Sequence, residues 1–137
     1  ERIAAARGHP IREALAHIAK VRAAHVSLRR GMQVNVELAG DRAAFYRVYQ
    51  DGSTQEIALV LLNKGATPAA FSIDAMLEPG RWVEATGDAV VEVGEGGTLA
   101  AEVPANGVRV FVLAAPVRQP DLAAALARQR APRTNGG

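Results

Sequence analysis

The sequence predicts a mostly β protein, in which one N-terminal helix is followed by an antiparallel Greek-key β-sandwich of about eight strands. The apolar period changes from about 3.6 residues to 2 near Gly31, as expected where a helix gives way to half-buried strands. After Gly31, short apolar segments recur about every ten residues with turn residues between them, which is typical of all-β sandwiches. No helix-length periodic segment separates these strands, so a parallel α/β sheet is not expected.

The helix is predicted over residues 10–30. Its apolar stripe, with a spacing of three to four residues, consists of Ile11, Leu15, Ile18 and Val21. Pro10 suits the first turn, where a missing N–H has no helical partner. Gly31 suits the end, because glycine readily adopts the left-handed conformation of a helix cap.

Each strand is predicted from alternating or continuous apolar residues between turn signals. Asp51-Gly52 favours a hairpin, and the segment 57–63 is apolar on both faces, as in a central strand. The predicted strands are residues 32–38, 44–49, 57–63, 69–73, 81–85, 90–93, 98–103 and 108–113.

The length of 137 residues suits one core and no second full domain. We divide the chain into the helical part at residues 1–31, the β-sandwich at 32–116 and a loose or short-helical tail at 117–137. An Ala-rich helix is expected over residues 122–130. The tail holds few large apolar side chains to bury, so we expect a poorly ordered end, with residues 132–137 loose.

Composition argues against several functional classes. The absence of cysteine excludes disulfides and Cys-based zinc sites. The longest apolar run, residues 57–62, is far shorter than the ~20 residues of a membrane span, and the first residues lack the apolar region of a signal peptide. Residues 1–31 hold 7 Lys/Arg and 2 Asp/Glu but no aromatic residue, whereas the aromatic residues lie in the acidic segment 32–117. Nucleic-acid binding needs basic and aromatic residues on the same surface, so nucleic acid is not expected as a partner. A membrane is not expected either, because no apolar run is long enough to span one.

No catalytic residue, metal ligand or cofactor site is predicted. His9, His17 and His25 are eight residues apart, about 12 Å along a helix, which is too far for one metal ion. The acidic residues mostly flank turns or take polar strand positions, whereas a glycosidase needs two carboxylates facing across a cleft. The glycine-rich segment 94–97 precedes a strand and therefore predicts a hairpin instead of a phosphate loop.

Three aromatic residues are candidates for contact with a sugar. They are Trp82, Tyr46 and Tyr49, because sugars stack on exposed rings. For Trp82, packing in the core or docking of another domain is the competing interpretation.

The order of several segments resembles the end of an α-amylase-family enzyme. Residues 18–31, Ile-Ala-Lys-Val-Arg-Ala-Ala-His-Val-Ser-Leu-Arg-Arg-Gly, resemble the eighth barrel helix and its exit, although Val26 stands where proline is common. The other matching segments are residues 45–49, 57–63, 77–87 and 103–113. The resemblance covers residues 9–114, and its strength lies in the order of motifs that are individually weak.

This resemblance implies that residues 1–31 are the last helix of a missing (β/α)8 barrel and that residues 32–116 are domain C. The implied parent is a bacterial starch-acting enzyme of glycoside hydrolase family 13, of the cyclodextrin glucanotransferase (cyclomaltodextrin glucanotransferase) or α-amylase type. It would cleave α-1,4-glucosidic bonds with retention through an aspartate nucleophile and a glutamate acid/base. Those residues and most of the family's calcium sites belong to the barrel, so none is assigned here. The parent would be secreted or periplasmic.

The leading hypothesis is therefore a structural domain whose partner is the catalytic barrel of the same polypeptide. α-Glucan is a further candidate partner, as is a second copy bound through the exposed face of the 10–30 helix. The alternative hypothesis is a free-standing carbohydrate-binding module with exposed rings at Trp82 or at the Tyr46 and Tyr49 pair. An immunoglobulin-like interaction module is disfavoured, because such domains need no leading helix.

Overall fold

The computed structural model describes residues 19–130. Residues 19–24 are helical, and two further helices follow at the two ends of the described chain: α1 at Val26–Arg30 and α2 at Pro120–Arg130. The strands between them are β1 Met32–Ala39, β2 Arg42–Asp51, β3 Thr54–Asn63, β4 Ala69–Ile73, β5 Gly80–Glu84, β6 Val90–Val93, β7 Leu99–Val103 and β8 Gly107–Leu113. The mostly β fold class and all eight predicted strands are confirmed.

The strands form two antiparallel sheets. The larger sheet has the order β1-β2-β3-β8-β5-β6, and the smaller one pairs β4 with β7. The chain leaves the larger sheet after β3 and again after β6, and returns to it at β5 and β8. These crossings between sheets produce the sandwich that the sequence predicts.

The inner face of the larger sheet packs against the smaller sheet. Side chains alternate along each strand, so residues two apart share a face. Along β2, for example, Ala44, Tyr46 and Val48 are all buried. The bulky side chains of this inner core include Tyr46, Leu59, Trp82 and Phe111 from the larger sheet and Phe71 and Leu99 from the smaller one.

Helix α2 closes the same core, which corrects the expectation that the tail has little to bury. Leu122, Ala125 and Leu126 have helical i, i+3 and i+4 spacing and are all buried in the inner core. The side chain of Gln119 accepts the Leu122 N–H at 2.7 Å at the start of α2. Of the predicted alternatives for residues 117–130, the helix is present, whereas residues 132–137 lie outside the described residues.

The outer face is the surface of the larger sheet that lies opposite the smaller sheet. It is covered in its centre by the helical segments at the start of the chain. Val21 and Leu28 are the buried helical residues there, and they pack on Ala58, Val60 and Val110. The larger sheet is therefore buried on both faces at its centre, which explains why β3 is apolar throughout.

The single helix predicted over residues 10–30 is interrupted. Residues 10–18 lie outside the described residues, and helix 19–24 ends before His25. His25 has an extended backbone, with φ −125° and ψ 118°, and α1 begins directly after it. The predicted glycine cap is also wrong in its conformation, because Gly31 has φ −75° and ψ 161°.

A glycine is required at position 31 because there is no room for a side chain, and not because the backbone adopts a left-handed conformation. Its N–H donates to the Ser27 carbonyl at 2.9 Å, which brings the two backbones together. A Cβ at this position would overlap that carbonyl oxygen and lie 2.9 Å from the backbone nitrogen of Val48. The chain can therefore pass from α1 into β1 this closely over β2 only without a side chain.

Candidate functional site

The outer face is the candidate functional site, because its apolar surface is only partly covered. The cross-strand pairs place Arg47, Ala58, Val112, Val83 and Val90 in one row across five neighbouring strands. Ala58 is fully buried, whereas Val83 and Val90 are each 45% exposed. Val83 and Val90 are cross-strand neighbours, so they form a small exposed apolar patch at the β5–β6 side of this face.

Glu56 holds the break at His25 between the two helical segments on this face. Its Oε2 lies 2.7 Å from His25 Nδ1, and its Oε1 accepts the Ser27 N–H at 2.9 Å. Burial raises the pKa of Glu56, but the hydrogen bonds from Ser27 and His25 outweigh that effect and leave the pKa below its usual value. The carboxylate thus anchors the start of α1 to β3.

Arg47 stands beside these helices with an incomplete set of partners. Its Nε is buried and has no hydrogen-bond partner within the described residues. Burial lowers the pKa of Arg47, and the like charge of nearby Arg22 lowers it further. A guanidinium in this position retains unused hydrogen-bonding capacity.

Two of the predicted sugar contacts lie in the inner core. Trp82 is 0% exposed, and its Nε1 donates to the Glu78 carbonyl at 2.9 Å. Tyr46 is equally buried, and its hydroxyl donates to the Ala75 carbonyl at 2.8 Å. Desolvation, with a smaller contribution from Asp74, raises the pKa of Tyr46. The expectation of exposed rings at Trp82 and Tyr46 is therefore corrected, because both side chains point towards the smaller sheet.

Tyr49 is separate from the other two rings. It lies near the end of β2, is partly exposed, and donates its hydroxyl to Asp51 Oδ2 at 3.0 Å. The guanidinium of Arg30 lies 5.9 Å from the ring centroid. The structure thus leaves one partly accessible ring among the three candidates and brings none of them together.

A second carboxylate cluster joins β5 to β8. Both oxygens of Glu84 accept hydrogen bonds from Arg109, at 2.8 and 3.0 Å, and the Thr86 hydroxyl donates to Glu84 at 2.7 Å. The hydrogen bonds from Arg109 hold the pKa of Glu84 below its usual value. This ion pair ties β5 to β8 and engages both oxygens of the Glu84 carboxylate.

One cavity of about 250 Å³ brings acidic residues together between residues 74–79 and the segment that leads into α2. Its lining includes Asp74, Glu78 and Glu95, but Glu78 Oε1 already accepts the backbone N–H groups of Arg118 and Gln119. The volume is below the roughly 300–1,000 Å³ of typical ligand pockets. Across residues 19–130, no group of three or more His, Asp or Glu side chains could hold a metal ion.

Sequence reasoning missed the roles of Glu56, Glu84 and Arg47. The two carboxylates were indistinguishable from solvated strand residues until the strand order was known. The break at His25 was missed as well: His25 has an extended backbone although the residue after it is Val26 and not proline.

The fold and this site define the chain as an antiparallel sandwich entered through helices that pack on one sheet face. Within the described part of the chain, no helix is long and apolar enough to cross a membrane. No protein-family model matches the sequence, and no curated protein sequence matches it.

Solved structures with this fold include two bacterial α-amylases. The α-amylase of Anoxybacillus has a TM-score of 0.60 at 20% identity, over 77% of this chain and 23% of that chain. The α-amylase of Geobacillus thermoleovorans has a TM-score of 0.55 at 20% identity, over 65% of this chain and 19% of that chain. At these identities the likeness concerns the fold. This chain matches about a fifth of the length of each amylase.

Proposed function

We propose that this chain is the C-terminal β-sandwich of an α-1,4-glucan-acting enzyme of the α-amylase family, of the cyclodextrin glucanotransferase or α-amylase type. Its own role is structural. The observation that carries the proposal is the outer face, where the chain enters through packed helices and leaves Val83 and Val90 exposed beside them. The fold likeness to about a fifth of two α-amylases supports the same assignment.

The contact between the helical segments at residues 19–30 and the outer face is suited to positioning one domain against another. Val21 and Leu28 are buried on the sheet, and Glu56 fixes the break between the two helical segments. A preceding domain attached through these helical segments would have a defined orientation, because Glu56 of β3 holds the His25 side chain and the Ser27 N–H. The exposed valines would be buried under that domain, which removes apolar area from water.

The test is to express the complete reading frame that encodes Glu1 and to compare it with the isolated 137-residue chain on soluble starch. The product of the complete reading frame, called the extended protein below, should cleave or transfer α-1,4-glucan. The isolated chain at equal molar concentration should not. Clear turnover by the isolated chain would overturn the structural role. An extended protein that is inactive on every α-glucan tested would overturn the family assignment.

A carbohydrate-binding module is the second candidate function, and the partly exposed ring of Tyr49 is the observation that favours it. Titration with maltooligosaccharide, followed by chemical shifts of the Tyr49 ring, separates the two proposals. Saturable binding below millimolar sugar that Tyr49→Ala abolishes would favour the module. The structural proposal expects no saturation in that range.

A further inference from the structure

The end of the outer face at the β1–β2 turn carries a second exposed apolar surface. The strand registers place four apolar residues in one row across β1, β2, β3 and β8, namely Leu38, Ala43, Leu62 and Val108. Ala43 lies two residues before Phe45 on β2, and Phe45 packs against the buried cluster of the outer face, so the row belongs to this face. Leu38 is 65% exposed, and the other three are half-buried. The row is therefore apolar surface that the described part of the chain leaves accessible.

This row lies in an open groove of about 350 Å³, whose lining includes the apolar residues Leu38, Ala43 and Leu62. The exposed, charged residues Asp41 and Lys64 border it beyond the strand ends, and the Lys64 N–H donates to the Asp41 carbonyl at 2.8 Å. Apolar residues bordered by charged ones are typical of a contact between proteins. None of the described residues that line the groove is aromatic, so a sugar would have no ring to stack on.

We propose that the domain preceding this chain in the same polypeptide docks apolar side chains into this groove, over Leu38. This inference rests on the proposed function, which supplies that domain. The helical segments at residues 19–30 enter on the same face, and Val108 packs against the cluster in which Val21 and Leu28 are buried, so the row continues their contact. A domain joined through these helices is held beside the groove at an effective concentration that favours it over a separate molecule.

The docked surface extends beyond the helical segments towards both edges of the larger sheet. Val83 and Val90 lie on β5 and β6, whereas Leu38 lies on β1, at the opposite edge. The strand order puts five spacings between β1 and β6, and at about 4.8 Å each they span roughly 24 Å. A single helix is only about 10 Å across, so a folded domain fits this surface better than one further helix does.

Cysteine labelling tests the proposal, because the 137-residue chain contains no cysteine. Leu38→Cys is introduced into the isolated chain and into the extended protein, and the reaction of the added thiol with a maleimide is timed. Each rate is divided by that of the same variant unfolded in urea, and the extended protein without the substitution supplies the background. In the isolated chain the thiol should react like an exposed cysteine. In the extended protein it should react more slowly, by about tenfold or more.

Ser72→Cys is the matched control. Ser72 is an exposed residue of β4 between Phe71 and Ile73, which face the inner core, so its side chain points away from the larger sheet. Its thiol should react at equal rates in the two forms.

Equal labelling of Leu38→Cys in the two forms overturns the proposal. Slow labelling in the isolated chain also overturns it, since it would identify residues 1–18 as the occupant if it is independent of concentration, and a second copy if it appears only at high concentration. Starch activity of the extended protein is measured in parallel. An active enzyme with equal labelling contradicts docking at the groove alone, whereas protection of Leu38→Cys in an inactive protein supports the docking and contradicts only the glucan-acting assignment.

Discussion

Single residues determine how closely the helices approach the sheet, and the backbone of Gly31 lies in close contact with Ser27 and Val48. Gly31→Ala should destabilise the chain by about 1–3 kcal/mol, because the new Cβ meets the Ser27 carbonyl and the Val48 backbone, and neither can move freely. Urea unfolding followed by circular dichroism measures the loss. Gly94→Ala is the control, since a Cβ there has nothing within 4 Å. Equal stability of the two variants would contradict the close approach.

Glu84 and Glu92 provide a second comparison between two ion pairs in the larger sheet. Glu84→Ala should cost about 2–4 kcal/mol, because it removes the two hydrogen bonds that the half-buried Arg109 makes to Glu84. Glu92 is 73% exposed and lies 4.0 Å from Arg81, so Glu92→Ala should cost less than about 0.5 kcal/mol. Urea midpoints of the two variants test the difference, and a reversed order would contradict it.

The residue scale also shows where sequence reasoning succeeds and where it fails. Alternation along β2 and β5 correctly predicts strands at Tyr46 and Trp82. It does not identify which side of each strand meets the smaller sheet, because that depends on β4 and β7, distant in the chain. The two rings therefore face the core, whereas Tyr49, on the other side of β2, remains partly exposed.

At the scale of elements, local patterns predicted which segments become strands but not how the helices divide. The apolar stripe continues across His25 in sequence, so periodicity alone gives one helix. The break depends on Glu56, which lies 31 residues from His25 and reaches it only when β3 is in place. Helix α2 shows the same dependence, because Leu122 and Leu126 stabilise the helix only when they pack against a core that other strands have formed.

The Glu56 contact makes stability depend on pH. Its pKa is lower in the folded chain than in the unfolded chain, so its contribution is complete above the unfolded value of about 4.3 and is lost as pH falls through the folded value. Thermal unfolding between pH 7 and pH 3 should therefore show a smaller loss of stability for Glu56→Gln than for the unchanged chain. Glu95→Gln, at an exposed turn, should keep the original pH dependence. An unchanged profile for Glu56→Gln would contradict the anchor.

At the scale of the whole molecule, the two faces of the larger sheet differ in how much of their apolar surface other elements cover. The inner face is closed by β4, β7 and α2, whereas the outer face combines buried helical contacts with the exposed Val83 and Val90. The all-β class and strand positions followed from periodicity and turn residues. The difference between the two faces could not be predicted from the sequence, because the strand order determines which apolar residues become neighbours.

Hydrogen–deuterium exchange on the isolated chain and on the extended protein most directly tests whether the outer face docks against a preceding domain. In the extended protein, backbone amides around Val83 and Val90 and the 19–30 helical region should exchange more slowly, while β4 and β7 exchange at equal rates in both. Equal exchange at Val83 and Val90 in the two forms, or slower exchange at β4 and β7 instead, would contradict the account.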